Sequence, residues 1–238
     1  QVSMVYDFRD RLVFSQDGDM LTKKQWYTIF YDELNRPVMT AFYNKDITQQ
    51  ALQTSMNSSP GNGVLSTNIP GPSSLTVAWH DGRAIYQASD SIIFTNGFDS
   101  GDDTFETLLS PQNTIVTTKV SNPLPNISAG DLYPLTYNYY DSYSFAGNQP
   151  FVSVEMGLLE TGENAVSPEV LNTAAPLVRS AITGSSVRVL GTDQWLTTTN
   201  YYDNKGRLIQ MIKQNISGAS DITINRYDFS GKILSNLM

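Results

Sequence analysis

The apolar residues of this chain fall in short alternating or continuous runs, separated by Gly, Pro, Asn, Asp and Ser. That is the pattern of strands and tight turns rather than of long amphipathic helices. Four runs share one frame: Tyr6-Asp7-Phe8-Arg9-Asp10-Arg11-Leu12-Val13, Tyr31-Asp32-Glu33-Leu34-Asn35-Arg36-Pro37-Val38, Tyr202-Asp203-Asn204-Lys205-Gly206-Arg207-Leu208-Ile209 and Tyr227-Asp228-Phe229-Ser230-Gly231-Lys232-Ile233-Leu234. Each reads Tyr-Asp, three residues, a cation, then apolar residues. Tyr31 follows Tyr6 by 25 residues, and Tyr227 follows Tyr202 by 25. A fixed interval of this kind marks a repeated structural unit.

The chemistry of the unit predicts a β-hairpin. The residue before the cation is Asp10, Asn35, Gly206 or Gly231, all types that tolerate the left-handed conformation of a tight turn. The Asp that opens the turn can accept hydrogen bonds from backbone N–H groups a few residues on. A strand ending in Tyr-Asp precedes the turn, and an apolar strand follows it. The tyrosine and the apolar residues pack across the hairpin, and the cation can lie along a ring. An isolated hairpin is marginal in water, so such units must stand side by side.

Between the two repeat pairs lies a segment too long to be a linker. It opens with a short helical candidate, Asp46 or Thr48 as N-cap followed by Gln49-Gln50-Ala51-Leu52-Gln53. The stretches Ser58–Gly63 and Pro70–Ser74 read as exposed loops. Strands are expected at Leu75–Trp79, Ser91–Phe94, Thr104–Leu109, Thr114–Val120, Leu135–Tyr140 and Val187–Leu190. Ile92, Phe94, Phe98 and Phe105 are its candidate core. A second helix start is expected at Ser167-Pro168-Glu169.

Composition narrows the chemistry. The 238 residues contain no Cys and one His, which removes disulfides, thiolate nucleophiles, Cys-ligated metals and multi-histidine sites. Apolar residues make up 40% and charged residues 16%, a globular balance. The formal net charge of −8 disfavours nucleic acid as a partner. No apolar run approaches the roughly 18 residues that span a bilayer, so membrane insertion through a helix is not expected.

Four sets of residues are candidates for chemistry. His80, in Trp79-His80-Asp81-Gly82-Arg83, would have to serve any histidine-based triad. Adjacent strand side chains point to opposite faces, so Asp81 cannot orient it in line, and Asp-Gly reads as the turn of a hairpin. The acidic loop Asp99-Ser100-Gly101-Asp102-Asp103 lacks the spacing of a calcium loop and reads as a solvated turn. Glu155 with Glu160 or Glu169 could form a carboxylate pair only if folding sets their separation. The aromatics Trp79, Tyr86, Tyr133 and Tyr137 are candidates for stacking on a sugar, with packing in the sheet as the simpler reading.

The Tyr-Asp frame resembles the YD repeat of the rearrangement-hotspot (Rhs) and wall-associated protein families, closest to Rhs-type surface proteins of Bacteroidota. Trp195–Arg207, Tyr227–Lys232, Ser186–Thr192 and Asn35–Thr40 carry the resemblance. The segment around Ala88–Phe98 resembles a short β element common in secreted Bacteroidota proteins. The family resemblance implies a large secreted or surface protein whose repeats wind as a β-sheet spiral, in some relatives around a C-terminal toxin or effector. The chain opens at Gln1 without a start methionine and is expected to be an internal shell segment.

The expected fold is therefore all-β, with repeat hairpins at 1–43 and 194–238 forming one sheet and a β-sandwich-like insertion at 44–193 with one or two short helices. The expected role is non-enzymatic and structural, without metal or cofactor, at the cell surface or outside the cell. Its partners are the rest of its own polypeptide, with further repeats or an effector. The motif residues Tyr6, Asp7, Arg11, Tyr31, Asp32, Arg36, Tyr202, Asp203, Gly206, Arg207, Tyr227, Asp228, Gly231 and Lys232 are expected to be structural. The alternative is a carbohydrate-binding module in the insertion, with glycans as partners.

Overall fold

A computed structural model describes residues 2–59, 61–71, 73–77, 80, 84–111, 113–122, 128–152, 174, 178–217 and 219–238. In chain order the first elements are β1 (Ser3–Tyr6), β2 (Leu12–Gln16), α1 (Gly18–Thr22), β3 (Gln25–Tyr31), β4 (Pro37–Asn44) and α2 (Gln49–Asn57). Then come β5 (Gly63–Pro70), β6 (Ser74–Val77), β7 (Ile85–Ala88), β8 (Ser91–Phe94), β9 (Glu106–Leu109) and β10 (Asn113–Val120). The last are β11 (Leu132–Tyr140), β12 (Ile182–Arg188), β13 (Trp195–Tyr202), β14 (Leu208–Gln214), β15 (Ser220–Tyr227) and β16 (Ile233–Leu237). The protein is all-β with short helices.

Ten strands form one sheet in the order β1-β2-β3-β4-β11-β12-β13-β14-β15-β16, every neighbour antiparallel. The two repeat pairs thus lie in a single sheet, as the sequence predicts. They do not touch. β11 and β12, which fall inside the segment expected to be an insertion, stand between them and pair with β4 and β13. The described residues of two excursions, 45–131 between β4 and β11 and 142–181 between β11 and β12, lie outside this sheet.

Alternation decides which face is covered. Along β3, Trp26, Thr28 and Phe30 are buried while the residues between them are half-buried. Phe14 meets Trp26 edge-on, with ring centroids 6.4 Å apart. These residues join Val5, Val13, Met39, Ala41 and Tyr43 in one core. Leu52 and Met56 of α2 and Val116 and Val120 of β10 close it from outside the sheet. A fully buried side chain of this kind contributes about 1.5–3 kcal/mol. Thr48 caps α2, its hydroxyl accepting the Ala51 N–H at 3.3 Å. A second core, Tyr201, Ile209, Ile212 and Tyr227, is covered by Tyr143, Phe151 and Val152 of the later excursion.

The first excursion contains an antiparallel ribbon of β10, expected from the sequence as Thr114–Val120, with β5, which runs between the two stretches expected to be loops. Its remaining strands pair in parallel, β6 with β8 and β7 with β9. Among the described residues β6 and β7, which flank Asp81-Gly82, pair with β8 and β9 rather than with each other. Asp81, Gly82, Arg83 and Trp79 lie outside the described residues, as do Glu155, Glu160, Glu169 and the helix start at Ser167.

A ladder of tyrosine, aspartate and arginine as the candidate functional site

The four motif turns share one geometry. In the first, Asp7 Oδ1 accepts the N–H groups of Arg9 (2.9 Å) and Arg11 (3.1 Å). Asp7 Oδ2 accepts Arg11 Nε at 2.7 Å. Asp32 does the same for Leu34 and Arg36, and Asp203 for Lys205 and Arg207. Asp228 takes the N–H groups of Ser230 and Lys232, both on Oδ1. A fixed left-handed residue closes each turn: Asp10 (φ 57), Asn35 (φ 64), Gly206 (φ 76) and Gly231 (φ 90). This is a type I turn followed by a left-handed residue, and the tyrosine before each Asp sits at the matching β-bulge.

The motif also joins one hairpin to the next. Tyr31 Oη donates to the Leu12 carbonyl of the preceding hairpin at 3.1 Å. Tyr227 Oη donates to Leu208 at 2.8 Å, again the carbonyl just after the cation. The cation lies over the next tyrosine ring: Arg11 is 4.7 Å from the Tyr31 centroid and Arg207 is 5.0 Å from that of Tyr227. Tyr and Arg thus serve the neighbour, while Asp serves its own turn. Burial raises the hydroxyl pKa of both tyrosines, so they remain donors well above neutral pH.

The β11–β12 pair is a fifth hairpin of the same kind, which the sequence frame does not reveal. Tyr140 sits at its bulge and Asp141 opens its turn, with the Asp141 N–H bonded to the Ala181 carbonyl at 3.2 Å. Tyr140 Oη donates to Pro37 (3.2 Å) and Tyr202 Oη to Ile182 (2.9 Å), continuing the ladder through it. Ala181 occupies the cation's position, so Asp141 takes its guanidinium from the hairpin before. Arg36 reaches Asp141 Oδ2 at 2.6 Å while holding Asp32 Oδ2 at 2.7 Å. The Arg36 bond holds the Asp141 pKa below its ordinary value, and Asp141 and Asp32 raise that of Arg36.

The first excursion is pinned to this ladder. Buried Ser121 and Asn122 wedge beside β3: Asn122 Oδ1 accepts the Tyr31 N–H at 2.8 Å, and its Nδ2 donates to Ile29 at 3.0 Å. Ser121 Oγ donates to the Asp32 carbonyl at 2.6 Å and accepts from Arg11 at 3.0 Å. Between the β5–β10 ribbon and the Arg36–Asp141 pair lies an open cleft of about 760 Å³, walled by Val64, Val116, Tyr139 and Phe145. Its guanidinium is held by two carboxylates, which leaves it no net positive charge from Arg36 for an anion.

The remaining candidates are dispersed. The His80 side chain is 6% exposed and packs against the rings of Tyr86, Phe98 and Phe105; its Nδ1 is 2.8 Å from Tyr86 Oη and its Nε2 is 3.4 Å from Asp103. Tyr86 is 0% exposed, so its hydroxyl is a buried partner for the imidazole. Asp99 Oδ1 accepts the Gly101 N–H at 2.8 Å, as in a plain turn. Among the described residues no group of three or more His, Asp or Glu forms a metal site. Tyr137 is also fully buried, and Tyr133 carries Arg188 at 4.0 Å over its ring. The structure therefore does not bring Tyr86, Tyr133 and Tyr137 together as exposed coplanar rings. No protein-family model matches the chain, and no curated protein matches it.

Proposed function

We propose that this chain is a non-enzymatic structural segment of a secreted, surface-exposed YD-repeat protein, to which it contributes β-hairpins as part of a scaffold or shell. The observation that supports this reading is the tyrosine-to-carbonyl junction, present at Tyr31, Tyr140, Tyr202 and Tyr227. The polar groups of the motif are committed to turns and neighbours, which is the economy of a repeating sheet and not of a reaction centre. The partner it names is the rest of its own polypeptide, whose whole would serve contact at the cell surface or enclosure of an effector.

The β16 edge supplies the test. A copy of residues 195–214 appended after Met238 should dock as the next hairpin, protect the β16 amides from hydrogen exchange and raise the melting temperature. A copy with its Tyr202 equivalent changed to alanine should dock less well. Equal exchange at β16 in all three proteins refutes the reading. Surface labelling of intact source cells tests the location; label confined to lysed cells refutes it.

A further inference from the structure

The two outer strands carry the two halves of one junction. At β16, Lys232 is an exposed cation with no partner among the described residues, followed by Ile233, which is 52% exposed. At β1, Tyr6 is 41% exposed, and its hydroxyl reaches only Met4 Sδ at 3.3 Å. Every other motif tyrosine has a carbonyl of the preceding hairpin. Ten antiparallel strands leave β1 and β16 running in opposite directions, so β16 of one copy meets β1 of a second as a continuing antiparallel pair.

One element stands in the way. Helix α2 lies along the outer edge of β1 and presents an amide stripe to it. Gln53 Oε1 accepts the Tyr6 N–H at 3.1 Å and Gln53 Nε2 donates to the Tyr6 carbonyl at 2.8 Å. Gln49 Nε2 donates to the Met4 carbonyl at 3.0 Å. These side chains fulfil what a neighbouring strand's backbone would, while Leu52 and Met56 on the adjoining stripe anchor the helix in the core. Unpaired edges are templates for further pairing, and covering one with a helix is a direct way to close it.

We propose that the Gln49–Gln53 clamp of α2 is a plug that prevents head-to-tail assembly of this chain, whose own β16 and β1 edges are otherwise complementary. The occupant of the unplugged β1 edge is the β16 strand of a second copy, with Lys232 over Tyr6 and the Tyr6 hydroxyl on the Ile233 carbonyl. This rests on the junction geometry; the scaffold reading concerns addition at β16 alone, so an appended hairpin that fails to dock and a plug that fails to block are separate results.

The test compares wild type with Gln49→Ala/Gln53→Ala and with Gln53→Pro, which breaks the helix at the clamp. Folding is checked by circular dichroism, and mass against concentration by sedimentation velocity. Wild type should stay monomeric. In the double-alanine variant, at dilutions where it is still monomeric, the Tyr6 amide should exchange about tenfold faster or more, and both variants should grow in mass with concentration. Adding Lys232→Glu or Tyr6→Ala should abolish that growth. Wild type mixed with Gln53→Pro/Lys232→Glu should stop at a one-to-one complex, since only one compatible pair of edges remains. Folded variants that stay monomeric, or association indifferent to Lys232 and Tyr6, overturn the proposal. Should Gln53→Pro not fold, the double-alanine variant decides alone.

Discussion

Replacing Asp7 with alanine tests whether the turn carboxylate is a structural keystone. Its side chain is 0% exposed and that of Arg11 is 10% exposed. The substitution removes two N–H acceptor bonds, at 2.9 and 3.1 Å, and the contacts to Arg11 Nε and Nη2 at 2.7 and 2.6 Å. Removing one partner of a buried pair costs about 3–5 kcal/mol, because the other charge stays in place without compensation. Arg11 keeps Asn35, Ser121 and the Tyr31 ring, which argues for the lower part of that range. In a chain of this size each kcal/mol moves the melting temperature by about 2–4 °C, so a drop of about 6–20 °C is expected. Asp7→Asn keeps the Oδ1 acceptor and loses the charge, and should fall between wild type and alanine. Urea titration followed by circular dichroism measures both. An alanine variant within about 1 kcal/mol of wild type, well short of the buried-pair cost, would show that the carboxylate does not hold the turn.

Further outcomes follow from the same geometry. Gly206→Ala forces a side chain into φ 76 and should cost about 1 kcal/mol, whereas Asp10→Gly at φ 57 should be neutral or stabilising; equal effects by thermal melts would refute the turn assignment. A Cβ on Gly184 would stand 2.2 Å from the Phe145 ring, which is stacked on Tyr139 at 4.3 Å, so Gly184→Ala should cost about 1–3 kcal/mol, and an unshifted melting temperature would show that Phe145 yields freely. Burial pushes the Tyr137 hydroxyl up to about 12, so its stabilisation is complete below the unfolded value near 10 and is lost as pH rises towards 12. Tyr137→Phe should flatten that alkaline loss, read as unfolding against pH; an unchanged profile counts against it. Asp141 is held below its ordinary pKa by Arg36, so its contribution is present above about pH 4 and lost as pH falls through the folded value. An Arg36→Gln variant should show less acid sensitivity than wild type, and an identical acid melt would refute the shared-guanidinium account.

The four hairpins were legible because their chemistry is local. Asp, the left-handed residue and the cation lie within five positions, and the turn they make needs nothing from elsewhere. The fifth hairpin escapes the same frame because its turn is opened by the excursion and its cation is replaced by Ala181. Its guanidinium comes from Arg36, distant in sequence and adjacent only once the sheet has formed. The parallel pairing of β6 with β8 and of β7 with β9 is equally hidden, since a short apolar run does not declare its partner's direction. The helix start was readable to within Asp46 or Thr48, of which Thr48 is the cap, but the task of the amide stripe behind it was not. Gln49 and Gln53 look like ordinary polar residues until β1 lies beside them.

The Asp141–Ala181 closure has a consequence for what this sheet can carry. The ends of the 142–181 segment meet across a single backbone hydrogen bond, and the strands leading to and from it keep the spacing of an ordinary tight turn. The cost of closing a longer loop rises only logarithmically with its length. A hairpin tip of this kind admits a change of insert length without a shift in the register of β11 against β12, provided that Tyr143, Phe151 and Val152 stay over the second core. The ladder passes this hairpin unbroken, through Tyr140 on one side and Tyr202 on the other.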